Sequence, residues 1–201
     1  MIKIIKVREP SEWTEHRTTP GAEYEAKPAL RNSLLDEQGF ICAYCMRRIT
    51  YENSIIEHIK CRSKRPDLSM NYDNMVICCQ GNINDEDHCD KLKHDSDIAF
   101  SPFEDVFIDS LSYETKNGKI KSSNTQWQDE LESILNLNNS LLKLNRQAVI
   151  EGVIGVLAKK GYTLHQLSSQ FNEWKNPDKN HKKKEYCGIV IWYIGKKLRR
   201  K

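Results

Sequence analysis

The residues best placed to do chemistry lie between Cys42 and His94. Cys42-Ala43-Tyr44-Cys45 has the two-residue gap that lets one tight turn aim two thiolates at a single ion. A second cluster follows in Cys78-Cys79 and His88-Cys89. Zinc takes four tetrahedral ligands and thiolates are among the best of them, so Cys42, Cys45 and Cys89 are expected ligands of a structural Zn2+. The fourth is Cys79 or Cys78. Neighbours on an extended strand face opposite ways, and Cys79, beside the Gln80-Gly81 turn, is the better placed. His88 stands as a substitute ligand. Cys61 and Cys187 are isolated and read as packing residues.

Between the cysteine pairs sit Glu57-His58 and Asn74, and Asp90 and His94 follow. The spacing of Asp90 and His94 puts both on one helix face. A helix beside the strand that carries Glu57 would gather Glu57, Asp90 and His94 around one divalent cation. Oxygen-rich ligation suits Mg2+ or Mn2+, and His94 would extend the choice to zinc or nickel. His58 stays off the metal as general base. An unperturbed imidazole titrates at about 6.5, so activity is expected to fall below about pH 6.5. Asn74 would hold the loop that positions His58. The chemistry implied is cleavage of a phosphodiester. Arg62, Lys64 and Arg65 come next and would contact phosphates without reading sequence.

The positioning elements read as an α+β chain. An alternating pattern over 1–8 predicts a strand, followed by a polar loop with Pro10, Pro20 and Gly21. Leu30, Leu34 and Leu35 predict a helix over 28–38, stopped by Gly39. A knuckle and short hairpin are expected over 40–50, strands over 53–60 and 74–79, a polar insertion over 80–87 and a short helix over 89–95. Residues 99–122 alternate like a hairpin around Asn117-Gly118. Four helical stripes follow: Trp127 to Leu135, Leu142 to Leu157 with Gly161 as its stop, Leu164 to Trp174, and Ile189 to Leu198. The expected domains are 1–98, a connecting hairpin over 99–122, and a helical region over 123–201 that docks a partner.

The chain has 201 residues, of which 29% are charged and 38% apolar, and a formal net charge of +3. No apolar run is long enough to span a bilayer, and the MIKIIKVREP start lacks the pattern of a secretory signal, so the cytoplasm is expected. Seven cysteines there read as metal ligands rather than disulfides. Basic runs at Lys179 to Lys184 and Lys196 to Lys201 would suit a nucleic-acid backbone or an acidic partner. No GxxxxGK[ST] loop occurs, so a bound nucleotide would belong to another chain.

The order CxxC, Glu-His, Asp-Asn, then paired cysteines and a lysine resembles HNH endonucleases with the ββα-metal fold. ICAYC, IEHIK, YDNMVICCQGN and HCDKLK are similar to the HNH nuclease subunit of Septu anti-phage systems (PtuB), a branch that also occurs with retrons. The resemblance covers roughly residues 30 to 95. It implies a zinc-stapled ββα-metal core with His58 as general base, Glu57 and Asp90 on the catalytic Mg2+ or Mn2+, Asn74 as the middle Asn, Cys42, Cys45, Cys79 and Cys89 on zinc, and Lys93 among the nucleic-acid contacts. It also implies an SMC/ABC-type ATPase partner (PtuA-like), a retron reverse transcriptase with its nucleic acid, and an invading DNA substrate. RNA such as tRNA, or a non-catalytic zinc module, are the competing readings. Asp90 departs from the usual Asn or His, Cys61 stands where proline is common, and His94 where glycine is frequent.

Overall fold

The computed structural model describes residues 1–83, 85–160 and 162–199. Asn84 of the polar insertion, Gly161 and the last two residues of the basic end lie outside them.

The chain opens with α1 (Ser11–Thr18) and α2 (Pro28–Gln38). In α2, Pro28 occupies the first turn, where a missing N–H costs nothing. Gly39 ends the helix with φ 67°, and a Cβ there would stand 2.6 Å from the Lys183 side chain. Leu30, Leu34 and Leu35 are fully buried, each contributing about 1.5–3 kcal/mol. The knuckle that follows is pinned by a bridge between Ile41 and Arg48.

Strand β1 (Ser54–His58) pairs antiparallel with β2 (Met75–Cys79), placing Ser54 opposite Cys79, Glu57 opposite Val76 and His58 opposite Met75. The outer edge of β2 is closed by Gln38, whose side-chain amide exchanges two 2.8 Å bonds with the Ile77 backbone. A two-residue ladder, β3 (Asn82–Ile83) with β4 (Glu86–Asp87), turns the chain into α3 (Cys89–Lys93). Hairpin plus short helix is the ββα order that the family resemblance implies.

Helix α4 (Asp105–Ser110) precedes the hairpin of β5 (Leu111–Tyr113) and β6 (Ile120–Ser122). Helix α5 (Thr125–Asp129), capped by Asn124, runs on into a π-helical turn over Glu130–Ile134. Helices α6 (Ser140–Lys160), α7 (Leu164–Lys175) and α8 (Cys187–Leu198) complete the chain. Arg146 of α6 is buried and donates to the Gly118 and Leu137 carbonyls at 2.6 Å each, tying that helix to the hairpin turn. The principal apolar core draws on residues from Met1 to Ile194, and Met46 of the knuckle packs on Cys187 of α8.

Three segments differ from expectation. Residues 1–8 form no strand: Ile4 donates one bond to the Pro102 carbonyl (3.0 Å), and the segment has no ladder partner among the described residues. Only Met1 and Ile4 of this segment are buried, three residues apart, while Ile5 and Val7 are exposed, so the alternation does not correspond to a buried strand face. Helix α1 replaces part of the polar loop because one fully buried side chain, Trp13, anchors it. Residues 105–110 likewise form α4 instead of extended chain, and Phe107 stacks on Phe100 with ring centroids 4.0 Å apart.

Candidate active site

The Sγ atoms of Cys42, Cys45, Cys79 and Cys89 all lie within 4.8 Å of one another, and all four residues are buried. Cys42 to Cys89 is 3.9 Å and Cys45 to Cys79 is 3.7 Å. A tetrahedron with Zn–S bonds of about 2.3 Å has edges of about 3.8 Å, which the two shortest separations match, so the set suits zinc. Three elements supply it: the knuckle, the end of β2 and the start of α3. Cys89 reaches inward through a backbone φ of 53°, held by a 2.9 Å bond from its N–H to the Leu135 carbonyl. Cys78 is buried but stays outside the foursome. His88 is not in the set either; its Nε2 lies 3.7 Å from Cys79 Sγ, a contact to a ligand atom rather than a ligand. Burial pushes the Cys45 and Cys89 thiols well above their usual range, so this closed group ionises fully only if a cation compensates it.

At the other end of the same hairpin, Glu57, His58 and Asp90 line one cleft of about 630 Å³. His58 is 5% exposed. Its Nε2 lies 2.9 Å from the Ser69 carbonyl oxygen, which can only accept, so Nε2 carries the proton and Nδ1 keeps the lone pair. Burial lowers its pKa to about 4, with the positive charges of Arg62 and Lys93 acting in the same direction. The acid limb expected near pH 6.5 therefore moves down. Asn74, also buried, bridges the intervening loop: its Oδ1 accepts from the Lys60 N–H at 2.8 Å, and its Nδ2 donates to the Lys60 and Leu68 carbonyls at 3.0 and 3.2 Å. That loop delivers Ser69.

Glu57 Oε1 pairs with Lys93 Nζ at 2.6 Å and accepts from the Tyr44 hydroxyl at 3.3 Å. Burial and the hydrogen-bonded Asp90 carboxyl push Glu57 up to about 8, even though Lys93 pulls the other way. Glu57, paired with Lys93 and set beside Asp90, gives an oxygen donor set of the kind a hard divalent cation favours.

Some expected residues do not join. Helix α3 ends at Lys93, and His94, with φ 45°, stands at the rim of the cleft; its side chain is 81% exposed and faces Asp95 at 3.5 Å. The turn from Asp90 to His94 is closed by the His94 N–H to Asp90 carbonyl bond at 2.9 Å and both residues line the cleft, but the His94 ring faces Asp95 rather than Asp90. Lys93, expected among the nucleic-acid contacts, is 1% exposed; it holds Glu57 and donates to the His58 carbonyl at 3.1 Å. Lys64 pairs with Asp97 at 3.5 Å and Arg65 with Asp67 at 2.6 Å, so both are partly neutralised. Arg62 lines the cleft, its guanidinium 4.5 Å from the centre of the Tyr24 ring.

Sequence reasoning missed Tyr24, Tyr44 and the Ser69 carbonyl. Tyr24 meets His58 edge-on at 4.8 Å between centroids. Tyr44 sits inside the CxxC gap, a position that signals only a turn. None of the three carries a motif; each arrives through tertiary approach.

No family model matches the chain. Among curated proteins it is similar to the "Retron Vc95 putative HNH endonuclease" of Vibrio cholerae serotype O1 biovar El Tor, with 28% identity over 154 residues, or 72% of this chain and 75% of the relative. That similarity stands beside the hairpin-and-helix geometry around Glu57 and His58, and the two agree with an HNH-type nuclease.

Proposed function

We propose that the protein is a metal-dependent endonuclease that hydrolyses phosphodiester bonds, with His58 as general base. The observation that carries this reading is the fixed imidazole: Nε2 tied to the Ser69 carbonyl, with Glu57 and Asp90 on the same cleft. His58 stays neutral through the physiological range, and its Nδ1 lone pair takes the proton of an attacking water. Glu57 and Asp90 would hold Mg2+ or Mn2+, which supplies Lewis acidity at the phosphate and leaving oxygen when bound. Lys93 orients the Glu57 carboxylate and steadies the strand end through the His58 carbonyl. Cys42, Cys45, Cys79 and Cys89 would hold a structural Zn2+ and so tie the knuckle, β2 and α3 together. Arg62 contacts the phosphate beside the cut.

The biological reading is an effector subunit of a cytoplasmic antiviral complex, cutting invading DNA under control of an SMC/ABC-type ATPase. The motif order described above and the retron origin in the relative's name support it, and no helix among the described residues is long and apolar enough to cross a membrane. One observation favours a second reading, a non-catalytic zinc module: the Glu57 carboxylate is already ion-paired with Lys93.

The test is a cleavage assay with labelled DNA and RNA and added Mn2+. The catalytic reading expects cutting by the wild type and a loss of about 10²–10⁴-fold in His58→Ala, with one zinc per chain retained. Equal cutting by the two proteins would exclude His58 as base, and no cutting of either substrate under any divalent cation would favour the zinc module.

A further inference from the structure

A second concavity lies away from the cysteine centre, between the N-terminal segment, the α4–β5 region and the pair α7–α8. It has a volume of about 530 Å³. Its lining carries four cations, Lys3, Lys175, Lys183 and Arg199, against two carboxylates, Asp105 and Asp109. Lys3 and Asp105 neutralise each other at 2.5 Å. Lys175, Lys183 and Arg199 have no carboxylate partner among the described residues, and the Lys183 ammonium rests on the Lys175 carbonyl at 3.2 Å. The catalytic cleft is formally balanced, with Arg62, Lys91 and Lys93 facing Glu57, Asp90 and Asp95. The lysine, arginine and aspartate side chains of this groove thus leave it a net +2, whereas the charged side chains of the catalytic cleft cancel.

The groove also presents aromatic faces. Phe171 and Trp192 line it half-buried, and Trp192 is braced edge-on by Tyr113 at 5.9 Å between centroids. Exposed lysines hover over both rings: Lys175 Nζ is 5.7 Å from the Phe171 centroid and Lys196 Nζ is 5.1 Å from that of Trp192. Rings flanked by long, mobile cations are what an unpaired nucleobase and its phosphates require, because a base can stack while the ammonium groups swing onto the backbone. A duplex hides its base faces and would use only the charges.

We propose that this groove is a binding site for single-stranded nucleic acid, with Phe171 and Trp192 stacking bases and Lys175, Lys183 and Arg199 contacting phosphates. The site gives a nuclease whose cleft is charge-balanced a separate source of substrate affinity, and to that extent it rests on the nuclease reading. A catalytic centre of this kind grips mainly the phosphate, so the groove would favour unpaired segments regardless of sequence.

The test is fluorescence anisotropy of zinc-loaded protein with a labelled 12-mer of oligothymidylate or oligouridylate, without added Mg2+ or Mn2+. The wild type should bind both, with log affinity falling against log salt at a slope of about −2, from three phosphate contacts at about 0.7 each. The surface double variant Lys175→Gln/Arg199→Gln should reduce that slope to about −0.7. Trp192→Leu should weaken binding about tenfold while leaving the slope unchanged. Absence of wild-type binding would overturn the proposal. So would variants that bind both 12-mers like the wild type, the result expected if the groove instead takes the apolar face of a partner protein. Cleavage takes no part in the readout, so failure of the nuclease reading and failure of this one are recorded separately.

Discussion

The two ends of the β1–β2 hairpin solve opposite problems. At one end four sulfurs of one chemical kind close around a point, wholly buried and complete. At the other, a carboxylate and an imidazole stand on an open cleft, and the carboxylate is matched by an internal ammonium, Lys93. A closed site has a single function, to lower the free energy of the fold. An open site of the proposed kind would have to stay stable while a cation comes and goes, and a buried lysine would do that by keeping the carboxylate partnered in between. The difference teaches that Lys93 belongs to the machinery of the open site, although its spacing in the sequence looks like a surface contact.

The largest effect should come from breaking the closed end. Cys42→Ser removes one of four thiolates from a centre whose cation is worth on the order of 10 kcal/mol to a small fold. The variant should lose its zinc by elemental analysis and its cooperative melt by calorimetry. Retention of a native melting temperature without zinc would show that the cysteine centre is not structural.

Breaking the internal pair at the open end should cost less. Lys93→Met leaves Glu57 and Asp90 facing each other without an ammonium, a loss of about 3–5 kcal/mol for a buried pair. The fall in melting temperature should be partly reversed by Mn2+, which replaces the missing charge, whereas the Cys42→Ser variant should gain nothing from Mn2+. A Lys93→Met protein as stable as the wild type would remove the distinction drawn between the two ends.

The smallest effect is a titration. The unfolded His58 ring takes its proton at about 6.5 and the folded one only at about 4. The unfolded chain therefore binds more protons through that interval, and stability should decline as pH drops from about 6.5 toward 4. Imidazole chemical shifts should show His58 neutral at pH 5. A ring protonated there would mean that the cleft is wetter than its burial implies.

What could be read from the sequence divides along the same line. The cysteine set was legible, including the choice of Cys79 over Cys78, because a strand sends neighbouring side chains to opposite faces. Helix α2 was legible from Pro28, a leucine stripe and Gly39, and the β5–β6 hairpin from Asn117-Gly118. Helix α1 was not, since Trp13 is its one buried residue and one residue has no period. Helix α4 is too short at six residues to show one. Around His58, Tyr24 and Ser69 come from loops placed by tertiary packing. The inward turn of Lys93 and the outward turn of His94 depend on where a five-residue helix happens to end. Local pattern specifies closed, symmetric sites well, whereas open sites are assembled from neighbours that no spacing announces.

The proposed function requires two cation sites at opposite ends of the β1–β2 hairpin, a sulfur site that would stay filled and an oxygen site that would fill on demand. Anomalous diffraction from crystals of the purified protein, before and after a Mn2+ soak, tests it directly. The account predicts a zinc peak among Cys42, Cys45, Cys79 and Cys89 in both crystals, and a manganese peak between Glu57 and Asp90 only after the soak. A soaked crystal with no manganese there, and Lys93 still bonded to Glu57, would contradict it.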